Sequence, residues 1–100
     1  MAWHPINQTL DTRRPHPVNV AGRDLLLIHH QGRWWAIEDR CTHSGCAFSS
    51  DGEIVGHIAV CDCHGSEFDI RTGEVLAFPA DGRLPTFSVR SAGEGLEVDL

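Results

Sequence analysis

Two short stretches decide how this 100-residue chain is organised: CTHSGC at residues 41–46 and CDCHGS at residues 61–66. Each stretch contains cysteine and histidine at close spacing, so together they supply a Cys-x-His pair and a Cys-x-x-His pair. Thiolate sulfur and imidazole nitrogen are common protein ligands of zinc and of some iron centres. The sequence therefore predicts a metal centre held between two loops.

The composition is that of one ordinary globular domain covering residues 1–100, with 41% hydrophobic and 22% charged residues. No apolar run approaches the roughly 20 residues that a membrane-spanning helix needs. The first 17 residues lack the apolar segment of a secretory signal peptide. We therefore expect a soluble protein in the cytoplasm that does not bind a membrane.

The charge balance argues against a nucleic-acid partner. Eight arginines and no lysines stand against 14 acidic residues, for a formal net charge of −6. A nucleic-acid-binding surface needs clustered basic side chains that neutralise phosphates. An acidic surface instead suits docking to basic patches on protein partners.

The local sequence pattern predicts an all-β fold. Residues 1–16 contain proline and show no periodicity, so they are expected to form an irregular arm or an edge strand. Short β-rich runs separated by glycine turns follow. The expected strands are residues 18–21, 24–30, 33–38, 57–61, 67–70, 74–76, 86–90 and 96–100. These strands predict a small antiparallel β-sandwich or barrel with the two motif loops at one end.

Alternation along the strands predicts which side chains face the core. In the last two strands the inward residues should be Phe87, Val89, Leu96, Val98 and Leu100. The adjacent Trp34 and Trp35 must point to opposite faces of their strand. One of them is expected in the core, and the other is a candidate docking aromatic.

The donor set leaves two kinds of metal centre open. Two cysteines and two histidines suit a tetrahedral zinc site or a [2Fe-2S] cluster whose two irons have different ligands. Zinc fingers mostly pair cysteines with cysteines and histidines with histidines, whereas each loop here supplies one of each. Such mixing favours a dinuclear cluster, in which both cysteines can bind one iron and both histidines the other.

The motifs resemble those of the Rieske [2Fe-2S] family. The resemblance rests on Cys41-Thr42-His43-x-Gly45, on Cys61-x-x-His64-Gly65, and on the Phe68-Asp69 and Thr72-Gly73 pairs that follow. It extends in pattern from about Val18 to Leu100. The chain looks most like the small soluble Rieske ferredoxins of bacterial ring-hydroxylating dioxygenase systems. This resemblance implies the Rieske β-fold.

The resemblance also implies the ligands. Cys41 and Cys61 would bind the inner iron, while His43 and His64 would bind the outer iron and face solvent. Neutral imidazoles in place of two thiolates leave the cluster less negative. Family potentials therefore lie at about −150 to +300 mV, rather than about −400 mV.

Further residues are similar to those of respiratory Rieske proteins. Cys46 and Cys63 occupy the positions of the disulfide that joins the loops in those relatives. Ser66 matches a serine that donates a hydrogen bond to a cluster sulfide, but Phe68 stands where those relatives have a tyrosine. We therefore expect an intermediate potential. Pro79 falls in a loop that shields the cluster in the family.

The function that the resemblance implies is one-electron transfer by a monomeric carrier that is not itself an enzyme. The carrier would take electrons from a reductase and pass them to a terminal oxygenase, such as one that hydroxylates aromatic hydrocarbons during their catabolism. An alternative is a small Rieske subunit bound in a larger oxidoreductase complex of the nitrite reductase or arsenite oxidase type. A third hypothesis is a structural zinc module, which predicts a colourless protein.

Overall fold

The computed structural model describes residues 2–42, 45–63, 65–78 and 82–100. Within these ranges it contains strands and a single helical turn, so the predicted all-β class is confirmed. No helix in the described ranges is long and apolar enough to span a membrane. The elements are β1 (Trp3–Ile6), β2 (His16–Val20), β3 (Arg23–His30), β4 (Arg33–Glu38), α1 (Phe48–Asp51), β5 (Gly52–Val55), β6 (Ile58–Cys61), β7 (Ser66–Asp69), β8 (Val75–Ala77), β9 (Thr86–Phe87), β10 (Val89–Ala92) and β11 (Gly95–Asp99).

The strands form three antiparallel sheets. The terminal sheet has the order β1-β11-β10, the central sheet β2-β3-β4-β9, and the loop sheet β5-β6-β7-β8. Each internal connection of the loop sheet joins neighbouring strands, so this sheet is a simple meander. It is also the sheet from which the second motif loop extends.

Two tight hairpin turns hold the central sheet in register. Ala21 and Gly22 have φ angles of 52° and 82°, and Gln31 and Gly32 have φ angles of 54° and 76°. Two successive residues with positive φ are typical of the type I′ turns that fit the twist of paired strands. The first turn lies one residue earlier than the sequence suggests, so β3 begins at Arg23. Strand β4 spans 33–38 as predicted.

The central sheet is buried on both faces, which explains the continuous apolar run in β3. Leu25 and Leu27 lie in one core, while Leu26 and Ile28 lie in the other. We call the first the base core; its buried residues are Ile6, Val18, Val20, Leu25, Leu27, Ala36 and Val98. We call the second the loop-side core; its buried residues are Leu26, Ile28, Ile37, Cys41, Phe48, Ala59, Cys61, Phe68, Ile70 and Leu84.

The terminal strands cover the base core largely as predicted. Residues 3–6 form an edge strand against β11, which is the second of the two alternatives for this segment. All five residues expected to face inward contribute to the base core: Val98 is fully buried and the other four pack against it. Trp34 packs on the base core and Trp35 on the loop-side core, so neither is a free docking aromatic.

The sequence pattern missed two elements next to the first motif, α1 and β5. Gly52 reads as a turn residue, but it is extended and pairs with Cys61 in the loop sheet. A Cβ atom at Gly52 would overlap the carbonyl oxygen of Val60. The glycine is therefore required by a close approach between strands, and it does not mark a turn.

Candidate metal centre

The two motif loops lie where strands of different sheets end. The first follows β4 and precedes α1, whereas the second joins β6 to β7. Cys61 is the last residue of β6 and pairs with Ser66, the first residue of β7. The second loop is thus held by strands at both ends, whereas the first loop begins shortly after β4 ends at Glu38.

The loops share one backbone arrangement. The Gly45 N–H donates to the Cys41 carbonyl oxygen at 2.8 Å, and the Gly65 N–H donates to the Cys61 carbonyl oxygen at 2.8 Å. Both glycines have positive φ, 74° and 79°, a region that side chains rarely adopt. Each loop is therefore a turn of the same length that begins at a cysteine.

The histidines of the motifs, His43 and His64, lie outside the described residues, as does Ser44. Their places in the sequence are inside the two turns, because each stands between the initial cysteine and the glycine. Gly45 and Gly65 are exposed, whereas the cysteines that begin the turns are buried. The turns therefore run from the core out to solvent.

Cys41 and Cys61 offer the sulfur donors that the predicted centre needs. Their exposed fractions are 2% and 1%, and both belong to the loop-side core. Neither forms a disulfide. Because both cysteines are buried, their sulfur atoms lie on the side of the loops that faces the core. This agrees with a metal centre whose inner ligands are sulfur. The donor chemistry thus fits a cluster ligated by two cysteines.

A disulfide joins the two loops through Cys46 and Cys63, whose Cα atoms are 6.7 Å apart. The pairing implied by the resemblance is therefore present. The sulfur atoms of Cys46, Cys61 and Cys63 lie within 4.8 Å of one another. Because two of these sulfurs are bonded to each other, the triad cannot act as three thiolates that bind zinc.

A third segment also contacts the first loop. The Thr42 hydroxyl donates to the carbonyl oxygen of Gly82 at 2.8 Å. Through this contact the segment that follows β8 meets the first loop. Pro79 and the two residues after it lie outside the described part of the chain. Sequence reasoning missed the contact because a side-chain bond to a backbone carbonyl across 40 residues leaves no local pattern.

Ser66 and Phe68 lie beside the second loop and are fully buried. Ser66 is opposite Cys61 in the sheet. Phe68 packs edge to face against Phe48, with ring centroids 5.9 Å apart. The Phe68 ring is therefore part of the loop-side core. The role of Ser66 toward a cluster sulfide remains a prediction.

Asp69 and Arg71 fix the turn that follows β7. Arg71 donates to the Asp69 carboxylate from its backbone N–H at 2.9 Å, from Nε at 3.0 Å and from Nη2 at 2.9 Å. The hydrogen-bonded guanidinium lowers the pKa of Asp69 and, in return, Asp69 raises the pKa of Arg71. The ion pair holds the end of β7 and the start of the chain leading to β8.

The loops, the two buried cysteines and the disulfide now define the site. A family model described as Rieske [2Fe-2S] domain matches residues 2–88. The chain belongs to the Rieske [2Fe-2S] family. The ferredoxin component of the naphthalene 1,2-dioxygenase system of Pseudomonas aeruginosa is 35% identical over 83 residues, which cover 83% of this chain and 79% of the relative.

Solved structures of Rieske ferredoxins have the same fold. A ferredoxin of Sphingomonas yanoikuyae B1 has a TM-score of 0.75 at 29% identity and 87% coverage of both chains. The complex of reduced oxygenase and oxidised ferredoxin in carbazole 1,9a-dioxygenase gives a TM-score of 0.81 at 25% identity. That match covers 96% of this chain and 91% of the solved chain.

Family membership confirms several expectations made from the motifs. The cofactor of the Rieske family is the predicted [2Fe-2S] cluster. The similar proteins are ferredoxin components of dioxygenase systems, in agreement with an electron-transfer component rather than an enzyme. Membership of a [2Fe-2S] family therefore argues against the hypothesis of a structural zinc module.

Proposed function

We propose that this chain is a soluble, cytoplasmic one-electron carrier of a dioxygenase system. It would accept an electron from a reductase and deliver it to the terminal oxygenase of an aromatic ring-hydroxylating system. The observation that carries the proposal is the pair of matching turns, each starting at a buried cysteine and joined by a disulfide. When bound, the [2Fe-2S] cluster supplies the site at which a single electron is stored.

The ligands in this proposal are Cys41 and Cys61 for one iron and His43 and His64 for the other. The burial of both cysteines supports their place on the inner iron. The exposed glycines that close the turns support a solvent-facing place for the histidines. A histidine edge at the surface would give the shortest path for an electron into a partner protein.

The surrounding residues would hold this edge rigid. The disulfide fixes the two loops relative to each other, and the Thr42 bond to Gly82 joins a third segment to them. Ser66 would donate its hydroxyl to a cluster sulfide and so favour the reduced, more negative state. Residues 1–100 would act together as a single domain, and the carrier would be monomeric.

One observation bears on the alternative of a subunit in a larger oxidoreductase. The disulfide is typical of respiratory-type Rieske proteins, but an obligate subunit should also present a broad apolar face. In the described residues only Trp3, Val55, Leu76 and Phe78 are large apolar side chains with high exposure. Trp3 is covered by the Arg90 guanidinium at 4.1 Å from its ring centroid. This small exposed set favours a carrier that exchanges partners.

The test is transfer of an electron to an isolated oxygenase. The purified holoprotein is reduced with dithionite, freed of the reagent, and mixed anaerobically with the oxygenase component of the naphthalene 1,2-dioxygenase system, then with those of related systems. The carrier proposal expects stoichiometric bleaching of an oxygenase cluster while this protein is reoxidised. Copurification with a larger chain, together with no transfer to any free oxygenase, would contradict it.

A further inference from the structure

Phe78 is the most exposed of the large apolar side chains in the described residues. Its exposed fraction is 86%, and that of Leu76, two residues earlier, is 45%. Leaving a phenyl ring in water forgoes about 1.5–3 kcal/mol of burial free energy. Such a ring is a strong candidate for a contact made with another molecule.

The segments on either side of Phe78 are each connected to one of the motif loops. Strand β8 is an edge of the loop sheet, and Ala77 is opposite Glu67. Continuing that register places Phe78 level with Ser66, the residue that follows the second loop. From the other side, the bond between Thr42 and Gly82 ties the segment after Phe78 to the first loop. Phe78 therefore lies along the chain between an edge strand that borders the second loop and a residue that is bonded to the first loop.

The electrostatic surroundings are strongly acidic. Residues 45–78 contain six carboxylates and one arginine, so most of the chain's net charge of −6 resides here. The single arginine, Arg71, is already paired with Asp69. None of the other five carboxylates forms an ion pair with an arginine within the described part of the chain; they are Asp51, Glu53, Asp62, Glu67 and Glu74.

We propose that Leu76 and Phe78 form an apolar anchor that inserts into an apolar pocket, rimmed by arginine or lysine, on the oxygenase component. This inference rests on the proposed function. Aromatic side chains near the centre of an interface often supply most of the binding energy, and the surrounding charges steer the encounter. The oxygenase is the expected occupant because a Rieske ferredoxin of this fold has been solved in complex with one.

The anchor acts on binding and not on the electron-transfer step itself. Phe78 is outside the ligand motifs, so its removal should leave the cluster and its potential unchanged. We expect Phe78→Ala to raise the half-saturating oxygenase concentration at least tenfold, while the limiting transfer rate stays within twofold. This split between affinity and limiting rate distinguishes docking from a general structural role.

Val55 provides a matched control. It is 56% exposed and belongs to the same sheet, but it lies at the β5–β6 turn, away from the motif loops. Val55→Ala should change neither the half-saturating concentration nor the limiting rate by more than twofold. For every variant, the visible and EPR spectra and the urea unfolding midpoint establish that the fold and the cluster are retained.

A second pair of variants tests the basic rim. Glu67 pairs with Ala77, the residue between Leu76 and Phe78, whereas Glu94 is exposed in the turn between β10 and β11 of the terminal sheet. Glu67→Gln should raise the half-saturating concentration severalfold at low salt and less at high salt. Glu94→Gln should have little effect at either salt concentration.

The experiment is stopped-flow oxidation of the reduced carrier by the oxygenase that the wild-type protein reduces. Equal half-saturating concentrations for the wild type, Phe78→Ala and Val55→Ala would overturn the anchor, as would binding that strengthens with added salt. A Phe78-dependent homodimer in sedimentation, with unchanged electron transfer, would assign the surface to a second copy instead. Failure of the wild type to reduce any oxygenase would instead refute the proposed function, and with it the anchor.

Discussion

The two cores of this molecule are built by different means on the two faces of one central sheet. The base core consists of aliphatic side chains from strands that alternate regularly, and none of its members carries functional chemistry. The loop-side core includes two cysteines and two phenylalanines packed edge to face, and it is bordered by a disulfide. Burial alone is sufficient to stabilise the part of the molecule around the base core, which we call the base half. The part around the loop-side core, the loop half, must also hold reactive groups in fixed positions. The loop half therefore depends on particular glycines and on a disulfide.

Replacing one glycine in each half should show this difference most strongly. Gly73 has φ of 79°, and a Cβ atom there would overlap the carbonyl oxygen of Leu84. Gly93 has φ of 62° but open space around it. We expect Gly73→Ala to lower the free energy of unfolding by more than about 4 kcal/mol, because strain and a backbone clash act together. Gly93→Ala should cost only about 1–2 kcal/mol, from strain alone.

The measurement is urea unfolding followed by circular dichroism, with cluster absorbance recorded in parallel. In the Gly73 variant the cluster should be lost at lower urea than in the wild type. Similar losses of stability for the two variants would show that the loop half is no more constrained than the base half.

Removal of the disulfide should have the next largest effect. Its cysteines are 17 residues apart, for which the chain-entropy model gives about 3 kcal/mol. We expect the Cys46→Ser/Cys63→Ser variant to unfold at lower urea and to release iron faster on warming. An unchanged rate of iron release would show that the strands alone hold the two loops together.

The contrast between the halves also explains what could be predicted from the sequence. The strands of the base half follow from alternation, as with Val98 and its neighbours, and from two-residue turns such as 31–32. In the loop half, the cysteine and histidine motifs predict the centre and the disulfide through their resemblance to a family. The role of Gly52 does not follow from the sequence, because a close approach between strands and a turn both select glycine. The exposure of Phe78 has no local signal in the sequence, since an apolar residue that directly follows a short strand can either pack inward or face solvent.

The potential offers a smaller and more specific contrast. If the Ser66 hydroxyl stabilises the reduced cluster by about 1 kcal/mol, Ser66→Ala should lower the midpoint potential by roughly 40 mV. Val98→Ala, which creates a cavity in the base core, should destabilise the fold and leave the potential unchanged. Protein-film voltammetry measures both. Equal potentials for the wild type and Ser66→Ala would remove Ser66 from the site.

The smallest expected effect concerns pH and the Asp69–Arg71 pair. The hydrogen-bonded guanidinium lowers the pKa of Asp69 below its ordinary value of 3.8. The pair therefore stabilises the fold fully above pH 3.8, and this contribution is lost as the pH falls through the lower folded-state pKa. We expect Asp69→Asn to be less stable than the wild type from pH 5 to pH 8, by a fraction of the disulfide effect.

The stability deficit of Asp69→Asn should shrink below pH 3.8, as measured by urea unfolding at each pH. The counterpart in the base half is Asp11, whose pKa is lowered by the exposed Arg13. Asp11→Asn should produce a smaller deficit, because solvent screens that pair. A deficit of Asp69→Asn that is independent of pH would assign its effect to packing rather than charge.

The central claim is that two cysteines and two histidines hold a [2Fe-2S] cluster between the motif loops. Its most direct test is pulsed EPR of the dithionite-reduced protein, produced once with ordinary and once with ¹⁵N-labelled histidine. The protein should be red-brown and bleach on reduction, and its signal should be coupled to two histidine nitrogens, as expected if His43 and His64 bind one iron. A colourless protein containing one zinc, or a reduced cluster with no histidine coupling, would contradict it.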